Sequence, residues 1–187
     1  MLATALNRLG NHAEALQASS AALDIAASLL KSERKTRKWI EAQAALGSQY
    51  GRALAVLGRH SEAVIAFEQS ITVASTRVKV NATPDADAQR HTSEMRMQLS
   101  RSHQALGHTD LATSLALRAT DELRSAAALS PAARDLAISL AEALIWQAQL
   151  DPTLAAALQA EARAAYDRAA ALSPLKAEHA VARAALG

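Results

Sequence analysis

A seven-residue block that returns after nearly fifty positions constrains this chain more than anything else in it. Leu9-Gly10-Asn11-His12-Ala13-Glu14-Ala15 recurs 48 residues later as Leu57-Gly58-Arg59-His60-Ser61-Glu62-Ala63. After 49 more residues it returns as Leu106-Gly107-His108-Thr109-Asp110-Leu111-Ala112, and a fainter copy runs from Gln149-Leu150-Asp151-Pro152 to Ala155. A second echo pairs Ala126-Ala127-Ala128-Leu129-Ser130-Pro131 with Ala169-Ala170-Ala171-Leu172-Ser173-Pro174. Periods of this length mark one supersecondary unit stacked several times. Composition says what the unit is made of. Alanine fills 48 of the 187 positions, while Trp39, Tyr50, Phe67, Trp146 and Tyr166 are the only aromatic residues. Alanine is the best helix former and sheets lean on aromatic and β-branched residues, so an all-β fold is excluded. Without cysteine there is no disulfide, thiolate nucleophile or cysteine zinc site.

Helix boundaries follow from glycine and proline. Gly10, Gly58 and Gly107 each follow a leucine, where a left-handed residue closes a helix. Asn11 with Glu14 resembles a capping box opening the next helix. Thr83-Pro84, Ser130-Pro131, Asp151-Pro152 and Ser173-Pro174 read as an N-cap followed by proline at the first helical position. Apolar residues such as Leu54, Leu57, Val64, Phe67 and Ile71 recur at helical spacing. Nine helices are expected, near 1–9, 12–31, 37–57, 60–78, 84–106, 109–128, 131–149, 152–171 and 174–186.

The repeat resembles the tetratricopeptide-repeat family. That pattern wants a small residue in mid helix A, read here as Ala3, Gly51, Ser100 and Ala143. Three positions on it wants a larger one, read as Leu6, Leu54, His103 and Trp146. Alanine early in helix B is Ala15, Ala63, Ala112 and Ala155. Small residues are needed where the two helices of a hairpin approach closely. The period of 43–49 residues exceeds the family's 34, as in the extended repeats of regulators from high-GC bacteria. The resemblance implies an all-α superhelix, a solenoid of about four helix-turn-helix repeats over 1–187. Its hairpins would span about 1–31, 37–78, 84–128 and 131–171, with a terminal helix at 174–186. The first helix is short and not polar, as a cap would be. Either the chain is a piece of a longer array, or that edge meets another chain as a homo-oligomer.

Chemistry finds little footing in the sequence. Six histidines form no HExxH pair, no Gly-x-Ser-x-Gly elbow is present, and no glycine loop is set to cradle phosphate. No enzyme activity, cofactor or metal is expected, and His103 reads as a partly buried packing residue. A net charge of +2 does not call for nucleic acid or an anionic membrane. The basic patch Lys31, Arg34, Lys35, Arg37 and Lys38 reads first as a solvated connector, with nucleic acid the weaker reading. No apolar run has transmembrane length and residues 1–10 lack a signal-peptide core, so a cytoplasmic protein is expected.

What remains is a binding surface. The resemblance implies a concave groove lined by helix A residues, which places Arg52, Arg101, Gln49, Gln98, Gln104, Gln147, Ser48 and Met97 against a peptide segment or partner helix. The arginines would grip carboxylates and the glutamines an extended backbone. The expected function is a protein-interaction scaffold within a regulatory assembly. A small-ligand or signal-peptide sensor and a structural oligomerisation domain are the alternatives.

Overall fold

The computed structural model describes residues 2, 5–6, 9–32, 37–78 and 85–186. Among them lie eight helices and no strand: α1 (His12–Ser32), α2 (Arg37–Val56), α3 (His60–Val78), α4 (Ala86–Ala105), α5 (Thr109–Leu129), α6 (Arg134–Leu150), α7 (Ala155–Leu172) and α8 (Ala177–Ala184). The helix expected at 1–9 falls largely outside the described residues. By internal contacts the chain divides into two compact units. One comprises Met1–Thr83 with Arg101–His108, the other Pro84–Ser100 with Thr109–Gly187.

In the first unit α1 packs along α2, and α2 along α3. A three-residue turn makes α2 and α3 an antiparallel hairpin. Gly58 takes φ 75°, its N–H bonds the Ala55 carbonyl at 3.0 Å, and the Arg59 N–H reaches Leu54 at 2.9 Å. Both bonds of a Schellman motif are present, and only glycine adopts that φ without strain. Gly107 builds the same turn through Gln104 and His103. Beneath the α2–α3 turn the helices meet at Gly51, where an added Cβ would lie 2.8 Å from the Phe67 ring. Ala53, Leu54, Ala63 and Phe67 are all fully buried around this contact. Ala13 is exposed although it precedes the equally buried Ala15 by two residues, which is the asymmetry the repeat register requires.

In the second unit α6 is packed between α5 and α7, and α8 touches α7 over a short length. Leu123, Leu136, Leu140, Leu144, Leu158 and Tyr166 fill the core. Ala162, Ala165 and Ala169 have no exposed surface and form the small-residue row that faces the larger side chains. At the small-residue position of the third repeat stands Ser100, which the close approach buries along with its hydroxyl. Its Oγ donates to the Ala112 carbonyl at 2.6 Å and accepts from Trp146 Nε1 at 2.8 Å, so the hydroxyl is satisfied.

The prolines play a different part from the expected one. Ser130, Asp151 and Ser173 donate backbone N–H groups to Ala126, Gln147 and Ala169, so each ends the preceding helix. The next helix starts three residues beyond each proline, at Arg134, Ala155 and Ala177. Proline restricts the residue before it to extended backbone, and Ser173 has φ −168° and ψ 150°. Proline here marks a stop, because it cannot continue a helix. Thr83 and Pro84 lie outside the described residues; α4 begins at Ala86, with Asp85 Oδ1 accepting the Ala88 N–H at 3.1 Å.

Candidate partner-binding face

Arg52 and Arg101 occupy the same repeat position on α2 and α4, both are exposed, and both belong to the first unit. Arg52 Nη2 donates to Ser48 Oγ one turn back at 3.4 Å, a long bond that leaves the guanidinium turned to solvent. Gln49 and Gln104 are half-buried in the same unit, and the Gln104 Oε1 is enclosed without a hydrogen bond. Gln98 is half-buried in the second unit.

Three of the expected groove residues are covered by protein. Ser48 is 4% exposed, Met97 2% and Gln147 5%, and Met97 belongs to the core cluster of the second unit. The position that continues the Arg52 and Arg101 column into the fourth repeat is Leu144, which is fully buried. Packing explains this. Helix α6 touches α5 and α7 and is tied to α4 by Ser139 and Trp146, so little of it remains open. The side chains of Lys31, Arg34, Lys35, Arg37 and Lys38 lie outside the described residues.

Among the described residues charged side chains gather at several points the sequence did not single out, and two of these lie on α4 and α5. Glu94 accepts from Arg90 Nη1 at 2.7 Å and from Ser139 Oγ at 2.6 Å, while His91 stands 3.6 Å from its other oxygen. Burial opposes its ionisation, but these partners outweigh burial and hold the carboxyl at about 2. An unfolded glutamate titrates near 4.5, so the bound carboxylate contributes about 3 kcal/mol above that pH. The contribution disappears as pH falls from 4.5 toward 2. Glu94→Gln is therefore expected to lower stability in urea by about 3 kcal/mol at pH 7, and by much less at pH 2.5. Equal losses at both pH values would refute the assignment.

The second point is Glu122 on α5, which pairs with the buried Arg96. It also accepts from Ser93 Oγ at 2.9 Å and Arg118 Nε at 3.1 Å. Gln89 Nε2 donates to the Glu122 carbonyl at 3.0 Å. Burial is the main influence on the Arg96 guanidinium and lowers its pKa, with Glu122 opposing. Spacing of i and i+4 made Arg90 with Glu94 and Arg118 with Glu122 legible. The Arg96–Glu122 pair crosses between helices, and no local spacing reveals it.

His103 sits where the family pattern wants a bulky residue and is 7% exposed, as expected of a packing histidine. Its Nδ1 lies 3.2 Å from Nδ1 of His108. Burial is the largest cause lowering its pKa and His108 adds to it, against the field of Glu68 on α3.

No protein-family model and no curated protein matches the chain. Among solved structures it is similar to a MamA double mutant from RS-1, at 15% identity and TM-score 0.42, covering 99% of this chain and 79% of that one. It is also similar to BtubC from P. vanneervenii, at 14% identity and TM-score 0.46, over 91% and 81% of the two chains. A third likeness is the C-terminal part of a TPR repeat-containing protein from Cytophaga hutchinsonii, at 13% identity and TM-score 0.21, over 96% and 97%. Likenesses of this size say nothing about activity. The fold, tetratricopeptide-like helical hairpins, stands on the chain's own turns and close helix contacts. No described helix is long and apolar enough to cross a membrane.

Proposed function

We propose that the chain is a non-enzymatic protein-interaction module, and that its first unit binds an acidic peptide segment or partner helix. Arg52 and Arg101 are the polar anchors, with Gln49 and Gln104 beside them. One observation carries this reading: the same repeat position presents an exposed arginine from two helices of one unit. Exposed arginines keep contact with water in the free protein. A carboxylate that arrives with its own apolar surroundings excludes that water and turns each contact into a charge-assisted, bidentate hydrogen bond. Each such bond contributes about 1.5–3 kcal/mol when shielded, and far less when it stays wet. The half-buried glutamines offer both donors and acceptors to an extended backbone, which supplies register without sequence specificity.

The test is fluorescence polarisation against a panel of acidic peptides, with charge-reversed peptides as controls. Arg52→Ala with Arg101→Ala is expected to weaken the best binder at least about tenfold, with helicity and melting temperature nearly unchanged. Neutralising Lys35, Arg37 and Lys38 together should matter less. Binding abolished by that triple change and kept by the double change would move the site to the basic segment.

A further inference from the structure

The third turn differs from the others in which side chains its backbone brings together. A Schellman motif bonds the N–H two residues past the helix to the carbonyl three residues inside it, so those two side chains emerge as neighbours. In the first turn the bonded residues are Asn11 and Leu6, in the second Arg59 and Leu54. In the third they are His108 and His103, joined at 2.9 Å through the backbone. Where the other two turns set a leucine beside Asn11 or Arg59, the third sets two imidazoles side by side.

Their geometry is specific. The Nδ1 atoms are 3.2 Å apart, with ring centroids 5.5 Å apart and planes tilted by 40°. Two imidazole nitrogens on one tetrahedral zinc, with bonds of about 2.0–2.1 Å, stand about 3.3 Å from each other. The turn thus holds both nitrogens at the spacing of a chelate edge, with the backbone fixed by its own hydrogen bonds, and each ring turns by about 35° from its head-on position to aim at one ion. His103 is anchored by burial, whereas His108 is exposed and leaves one side open to solvent. Glu68 on α3 acts on His103 and adds negative potential there.

We infer that His103 and His108 bind a borderline divalent transition-metal ion through both Nδ1 atoms. Imidazole pairs suit zinc, nickel and copper, whereas magnesium and calcium require oxygen donors. No group of three metal-ligating side chains converges among the described residues, so water completes the coordination and affinity is modest. Each ring keeps its proton on Nε2 in the metal-bound form. Without metal, one ring carries its proton on Nδ1 and donates to the other. Occupancy would cross-link the two sides of the Leu106–His108 turn and stiffen it.

Isothermal titration with zinc chloride alone, on the full chain with no polyhistidine tag, tests the site. The wild-type chain should bind one zinc per chain with a dissociation constant of the order of 10 μM. His108→Ala, an exposed position in the turn, should weaken binding at least about tenfold while circular dichroism stays unchanged. His103→Leu, which installs the residue type of Leu54 in the second repeat, should do the same. His179→Ala should leave binding intact. No saturable binding up to about 1 mM zinc, binding that survives both turn variants, or binding lost with His179→Ala each overturns the assignment.

Discussion

Glu122→Ala is expected to destabilise the second unit by about 3–5 kcal/mol in urea unfolding. The reason lies with Arg96, whose side chain is 7% exposed and which has Glu122 as its counter-charge. Removing the carboxylate leaves a guanidinium where water cannot repay its desolvation, and Ser93 also loses its acceptor. Arg118 loses a partner too, but it is 67% exposed and regains water, so it adds little. The origin of the loss can be checked by removing the stranded charge. Arg96→Met combined with Glu122→Leu should recover most of the stability, because an apolar pair of similar volume replaces a buried ion pair at little cost. If the double variant were as unstable as Glu122→Ala, the loss would come from packing and not from charge.

This pair also shows what the sequence could and could not reveal. Glycine after leucine at 10, 58 and 107 specifies the turns by itself, because positive φ excludes other residues at low cost. Ala15, Ala63 and Ala112 are legible because close helix approach demands a small side chain at a fixed offset from the turn, and all three are fully buried. At 130, 151 and 173 the residue before proline ends a helix and does not open one. A residue such as Asp151 or Ser173 suits an N-cap and a C-terminal stop alike, and only the backbone bonds to Gln147 and Ala169 separate the two. The candidate face is legible only where a helix keeps an open side. Arg52 and Arg101 stay exposed, but Leu144 at the same register is buried, since α6 is covered by its neighbours. Register fixes direction, and packing decides what that direction meets. The His103–His108 pair is not legible in the sequence, because neither residue is unusual alone. It takes the turn's backbone bond to make them neighbours.

Phe67→Ala should remove about 3–5 kcal/mol from the first unit, because the ring is fully buried between α2 and α3. The sharper measurement pairs that ring with Gly51. An added Cβ at Gly51 would lie 2.8 Å from the ring's Cε1 and 3.0 Å from both Cδ1 and Cζ. Two effects then compete in Gly51→Ala. Alanine in mid helix is better than glycine by about 1 kcal/mol. Forcing a methyl group against a fully buried ring costs about 1–3 kcal/mol. Overpacking should win, and Gly51→Ala should be destabilising in the native sequence. In a Phe67→Ala background the three ring atoms that crowd the methyl group are gone. There the same substitution should become stabilising by up to about 1 kcal/mol, which makes the pair strongly coupled in a double-mutant cycle. A reversal of sign is the expected result, and it cannot arise from helix propensity alone. The same loss in both backgrounds would show that something other than Phe67 requires glycine at 51, and the close contact of this hairpin would have to be placed elsewhere.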